Sequence, residues 1–123
     1  MKYLCLIYGE EKSREQYSTD QGEAMSHEYF AFTEDIRKSG HMLGGEALQP
    51  TTTATTVRVR NGKVSTTDGP FAETKEQLLG FYVVDCESIE EATEIAKQLS
   101  EPPGGTEVRP VHSYWPATIG QKG

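Results

Sequence analysis

Long apolar runs are missing from this sequence. No stretch approaches the roughly 20 residues that a helix needs to span a bilayer. The opening "MKYLCLIYGEE" offers one Lys and a six-residue apolar run that ends in acids, where a signal-peptide core needs about 7–15 apolar residues. The expectation is a soluble, cytoplasmic protein with no membrane partner.

Positive charge is also scarce: 12 Lys and Arg stand against 19 Asp and Glu, a formal net charge of −7. Such a surface repels phosphate backbones and anionic headgroups unless basic residues segregate. The only basic cluster, "VRVRNGK" at 57–63, is short, so nucleic acid is not an expected partner. The two cysteines, Cys5 and Cys86, lie inside apolar runs with no CxxC between them, which predicts buried, reduced thiols. The histidines at 27, 41 and 112 show no HxxxH spacing, so no metal site is expected. Phosphate loops, dinucleotide fingerprints and a nucleophile elbow are missing as well. What these absences leave to an enzyme is cofactor-free acid–base chemistry on a small organic molecule.

The 123 residues suffice for one domain and not for two, since domains run to roughly 100–200 residues. "KYLCLIY" (2–8) predicts a buried strand, and "EEKSREQYSTDQG" a polar connection. Between Glu23 and Ser39, Met25, Tyr29, Phe32 and Ile36 recur at spacings of four, three and four, one stripe of an amphipathic helix. Asp20 with Glu23 suggests its capping box, and Gly40 its C-terminal stop. "HMLGGEALQP" (41–50) has the apolar content of a strand broken by a Gly pair, which predicts a bulge or a close backbone approach.

"TTVRVRNGKVSTT" (55–67) is a hairpin joined by Asn61-Gly62, the dipeptide of a type I′ turn, with Val57 and Val59 on one face and Arg58 and Arg60 on the other. "LLGFYVVDC" (78–86) predicts a second buried strand, and "SIEEATEIAKQLSE" a helix capped by Ser88 and Glu91. "TEVRPVHSYW" (106–115) is a last strand whose Pro110 places it at an edge or a bulge. With the hairpin taken as an insertion, the order is βαββαβ, an α+β, ferredoxin-like arrangement with both helices on one sheet face. The other face would need a cover, most simply a second copy of the chain. A homodimer with a cleft between facing sheets is the expectation.

"GGEALQP" (44–50), "ATTVRVRNGK" (54–63), "TDGPFAETKEQLLGFYVVD" (67–85) and "EVRP" (107–110) together resemble the DGPF-signature branch of the YCII-related proteins. The resemblance implies a ferredoxin-like protomer pairing as a dimeric α/β barrel. Its functional implication is looser. Some members resemble products encoded beside extracytoplasmic-function sigma factors, and a relative in chloroaromatic breakdown is a dehydrochlorinase. In the wider family a His on the first helix and an Asp have been proposed as a catalytic pair, and His27 lies in a similar place. At 100° per residue, however, His27 sits about 200° from Met25, on the face opposite the apolar stripe. The segment after the second helix is "SEPPGG" here, where the wider family has Asp-Pro-Tyr.

"TTDGPFAETKEQ" (66–77) therefore holds the main candidates. Asp68 reads either as an Asx-type turn former or as a cleft carboxylate serving as general base. Glu73 and Lys75 read as a solvated face, a local ion pair or groups at the cleft mouth. Glu46 is the second candidate base: burial between Gly45 and Ala47 would raise its pKa, whereas strand alternation could turn it to water. Arg58 is a candidate anion receptor, and Tyr8 and Tyr82 are candidate ligand hydroxyls or core residues. His41, just after the first helix, is read as a helix-end cation.

Overall fold

The computed structural model describes residues 1–99 and 104–112. Strand β1 (Lys2–Gly9) leads through a short helix α1 (Glu11–Glu15) to the long helix α2 (Thr19–Lys38) and strand β2 (Met42–Ala47). The hairpin β3 (Thr55–Arg60) and β4 (Lys63–Asp68) follows, then β5 (Gln77–Asp85), α3 (Ile89–Ala96) and β6 (Gly105–Pro110). The main sheet is antiparallel in the order β2-β5-β1-β6, with β3 and β4 forming a separate two-stranded sheet. Apart from the inserted hairpin this is the ferredoxin-like βαββαβ arrangement.

Burial alternates along β1: Tyr3, Cys5 and Ile7 are buried against the helices, while Leu4, Leu6 and Tyr8 are only half-buried on the far face. The core lies between sheet and helices, where Cys5, Ile7 and Val84 pack with Phe32 and Ile36 of α2 and Ala92 and Ile95 of α3. The expected α2 stripe is thus the packed one, with Phe32 and Ile36 buried and Met25 and Tyr29 half-buried. The helix starts earlier than its sequence suggested. Ser18, not Asp20, is the N-cap, and the capping box closes with Gln21. Ser18-x-x-Gln21 fits the reciprocal pattern equally well, and Asp20 then sits in the positively polarised first turn. Gly40 takes φ +82° after the last turn, as a stop residue should.

The polar connection after β1 contains a five-residue helix, α1, that its residues did not announce. In β2 the register shifts between Met42 and Gly44, and a Cβ on Gly45 would come within 2.8 Å of the Phe81 carbonyl oxygen. Both expectations for the Gly pair, bulge and close approach, are met. Asn61 and Gly62 have φ of 51° and 76°, the conformation that joins β3 to β4 in a tight hairpin. Ser88 caps α3 by accepting from the Glu91 N–H at 3.2 Å, while the Glu91 carboxylate accepts from the Glu87 N–H. Among the described residues strand β6 pairs only with β1, so Pro110 lies on an edge. Residues 113–115 of the expected last strand lie outside the described residues. Among the described residues no helix is long and apolar enough to cross a membrane.

Candidate functional site

The corner after β4 is built by its neighbours and not by Asp68. Gly69 adopts φ +112°, donates its N–H to the Ala54 carbonyl at 2.7 Å, and its carbonyl accepts from the Thr56 hydroxyl at 2.8 Å. A Cβ-bearing residue would be strained at that φ. The Asp68 carboxylate is exposed and makes no hydrogen bond among the described residues, so it does not form the Asx turn that its residue type suggested. Pro70 follows half-buried, and Phe71 projects with 77% of its surface exposed.

Phe71 is nonetheless held. The Arg58 guanidinium lies 5.1 Å from its ring centroid and reaches its carbonyl oxygen at 3.5 Å. A guanidinium over a ring face is attracted by the ring's quadrupole. Arg58, expected as an anion receptor, is therefore engaged in fixing the loop.

The far end of the loop is pinned to the end of β1. The Gln77 side chain donates to the Thr74 carbonyl at 2.6 Å and accepts from the Glu11 N–H at 2.9 Å. One Glu11 carboxylate oxygen accepts from the Thr51 N–H at 2.8 Å and the other from the Thr51 hydroxyl at 2.7 Å. Glu11 thereby clamps the segment between β2 and β3 against the segment before β5. Between these two segments lies a cleft of about 540 Å³, floored by Tyr8 and Leu78 and walled by Pro50, Thr53, Phe71 and Glu76. That volume is within the usual range for small-molecule sites. Tyr8 and Leu78 are Cα partners across β1 and β5, so the cleft continues onto the sheet face that, among the described residues, no helix covers.

The other candidates disperse. Glu46 is exposed on β2, opposite Phe81 in register, so of its two readings the isolated protomer takes the solvent-facing one. Glu73 and Lys75 are exposed and form no ion pair among the described residues. Tyr82 is on the opposite sheet face from Tyr8: it pairs with buried Cys5, contacts Phe32 edge-on at 5.2 Å between centroids, and its hydroxyl lies 2.7 Å from Thr33 Oγ1. The two tyrosines cannot serve one site from a single protomer. His27 is exposed on α2, where helical geometry placed it. His41 sits 3.3 Å from the Glu91 carboxylate and 2.7 Å from the Ser39 hydroxyl, linking the end of α2 to α3.

Neither thiol sits where the thiolate is favoured. Burial raises the pKa of Cys5, and burial together with the adjacent Glu91 carboxylate pushes Cys86 up to about 11. Among the described residues no three His, Cys, Asp or Glu side chains converge as a metal set. Glu11 and Thr51 are the structural residues that sequence reasoning missed. Gln77, by contrast, closes the "DGPFAETKEQ" run, whose specificity as a unit was the available signal.

A family model for the YCII-related domain matches residues 1–114. An uncharacterised protein of Rhizobium meliloti (strain 1021) is 38% identical over 122 residues, covering 97% of this chain and 98% of that protein. A family match over residues 1–114, on a chain whose elements follow the expected βαββαβ order, identifies this protein as a member of the YCII-related family.

Proposed function

We propose that the protein works as a homodimer whose uncovered sheet faces meet, and that the cleft bounded by Tyr8 and Phe71 binds a small, partly apolar organic molecule. The observation that carries this reading is the sheet face that none of the described helices covers. Leu4 stands opposite Val83 and Leu6 opposite Phe81, all half-buried. A row of cross-strand apolar pairs is an expensive surface to leave in water. Two-fold pairing would bury it and extend the floor of each cleft.

In this dimer Glu46, across from Phe81, would move from solvent to the rim of an apolar interface. Partly withdrawn from water there, it would be placed for proton transfer. Asp68 is the alternative base, and Lys75 or Arg58 would stabilise a developing anion, as a lyase or hydrolase acting without a cofactor requires. A non-catalytic ligand-binding or assembly role is the second reading. It is favoured by the engagement of Arg58 with Phe71 and by the exposure of both candidate acids in the protomer.

Thermal-shift screening of a metabolite library, followed by turnover assays with any hit, tests the reading. Catalysis predicts that Glu46→Gln or Asp68→Asn removes turnover and leaves the ligand-induced shift in place. Binding without turnover in the wild type selects the ligand-binding form of the second reading, and a library that yields no hit contradicts both catalysis and ligand binding and leaves the assembly role.

A further inference from the structure

The helix-covered face holds a separate cavity of about 520 Å³, between α2 and strands β2 and β5. Gly45, Ala47 and Gly80 line it from the sheet, and Ala47 and Gly80 are register partners. Ile7, Leu79 and Phe81 line it as well, and the Tyr82 ring lies over Gly45, where a Cβ would come within 2.9 Å of it. Tyr29, Met42 and Tyr82 line it alongside. Small residues set between apolar and aromatic side chains fit a planar ring.

The cavity's polarity follows from one proton. The Thr33 hydroxyl donates to the Tyr29 carbonyl at 2.8 Å, and a threonine has only that one hydroxyl proton to give. The 2.7 Å contact between Thr33 Oγ1 and the Tyr82 hydroxyl must then run with Tyr82 as donor. With its proton committed, the Tyr82 oxygen offers only lone pairs to a further partner. The charged residues lining the cavity are Arg37 and Glu46. Arg37 is already paired with Glu34 at 2.9 Å, so no unpaired cation waits for an anionic ligand.

We infer that this cavity binds a neutral, ring-sized hydrogen-bond donor of the phenol class, with Tyr82 as its acceptor. The cavity lies on the opposite side of the sheet from the dimer cleft, although Glu46 and Phe81 line it as well as the proposed interface.

Calorimetric titration with phenol and toluene, probes of similar shape, reads the acceptor. In Tyr82→Phe the ratio of phenol to toluene affinity is expected to fall about three- to tenfold, the worth of one hydrogen bond. Thr33→Val provides a second reading, because it removes the acceptor of the Tyr82 proton and frees that hydroxyl to donate. Anisole, which can only accept, is then expected to gain affinity relative to phenol. No saturable phenol binding, an unchanged ratio in Tyr82→Phe, or an unchanged anisole preference in Thr33→Val overturns the proposal.

Discussion

The guanidinium of Arg58 sits 5.1 Å from the Phe71 ring centroid, so the inserted hairpin grips the loop that follows it. A pair of this kind at an exposed position is worth about 0.5–1 kcal/mol. A double-mutant cycle of Arg58→Ala and Phe71→Leu, read by denaturant unfolding, is expected to return a coupling of about that size. Strictly additive effects would mean that the stack does not hold the loop.

Glu11 is expected to matter more. Its carboxylate takes two hydrogen bonds from Thr51, and its N–H donates to Gln77. Hydrogen bonds to a charged group contribute about 1.5–3 kcal/mol, so Glu11→Ala should cost on that order in unfolding free energy. Glu11→Gln should recover part of it, because the amide oxygen still accepts from one Thr51 donor. An alanine variant as stable as the wild type would remove the clamp from the account.

The glycines of β2 and β5 give a sharper contrast. A Cβ on Gly80 would come within 2.8 Å of the Glu46 carbonyl oxygen, whereas one on Gly44 meets nothing within 4 Å. Gly80→Ala should therefore destabilise by about 1–3 kcal/mol, as overpacking does. Gly44→Ala should be close to neutral, and equal thermal melts for the two variants would contradict this strand packing.

The thiols predict a pH dependence. Cys86, ordinarily titrating near 9.0, is pushed up to about 11 by burial and by Glu91. Between those values the unfolded chain releases a proton that the folded chain keeps. Its stabilising contribution is thus complete below about pH 9 and declines as the pH rises toward about 11. Unfolding curves of wild type and Cys86→Ala across that window should converge. Both cysteines should also resist alkylation at neutral pH until the protein is unfolded, since each is buried and free.

The fold was legible because its signals are local: the α2 stripe, the Asn61-Gly62 turn, the Ser88 cap and the apolar run of β1 each report on a few adjacent residues. The site was less so. Asp68 has the residue type of a turn former, yet Gly69, Ala54 and Thr56 hold that corner, and contacts across 13 or more positions leave no periodic trace. Glu11 contacts Thr51 from 40 positions away, which explains how a clamp could hide in a polar connection. Tyr8 and Tyr82 look equivalent as strand tyrosines, and only the register shift between Ile7 and Tyr8 together with the helix side of the sheet tells them apart.

The central claim is that Leu4, Leu6, Phe81 and Val83 meet a second copy of the same face. Sedimentation velocity of the wild type and of Leu6→Asp, with circular dichroism to verify folding and Val83→Asp as the alternate variant, tests it most directly. The wild type is expected to sediment at twice the 13.6 kDa chain mass, and the folded Asp variants as monomers. A monomeric wild type, or a dimer that survives both substitutions, would contradict the pairing of these faces.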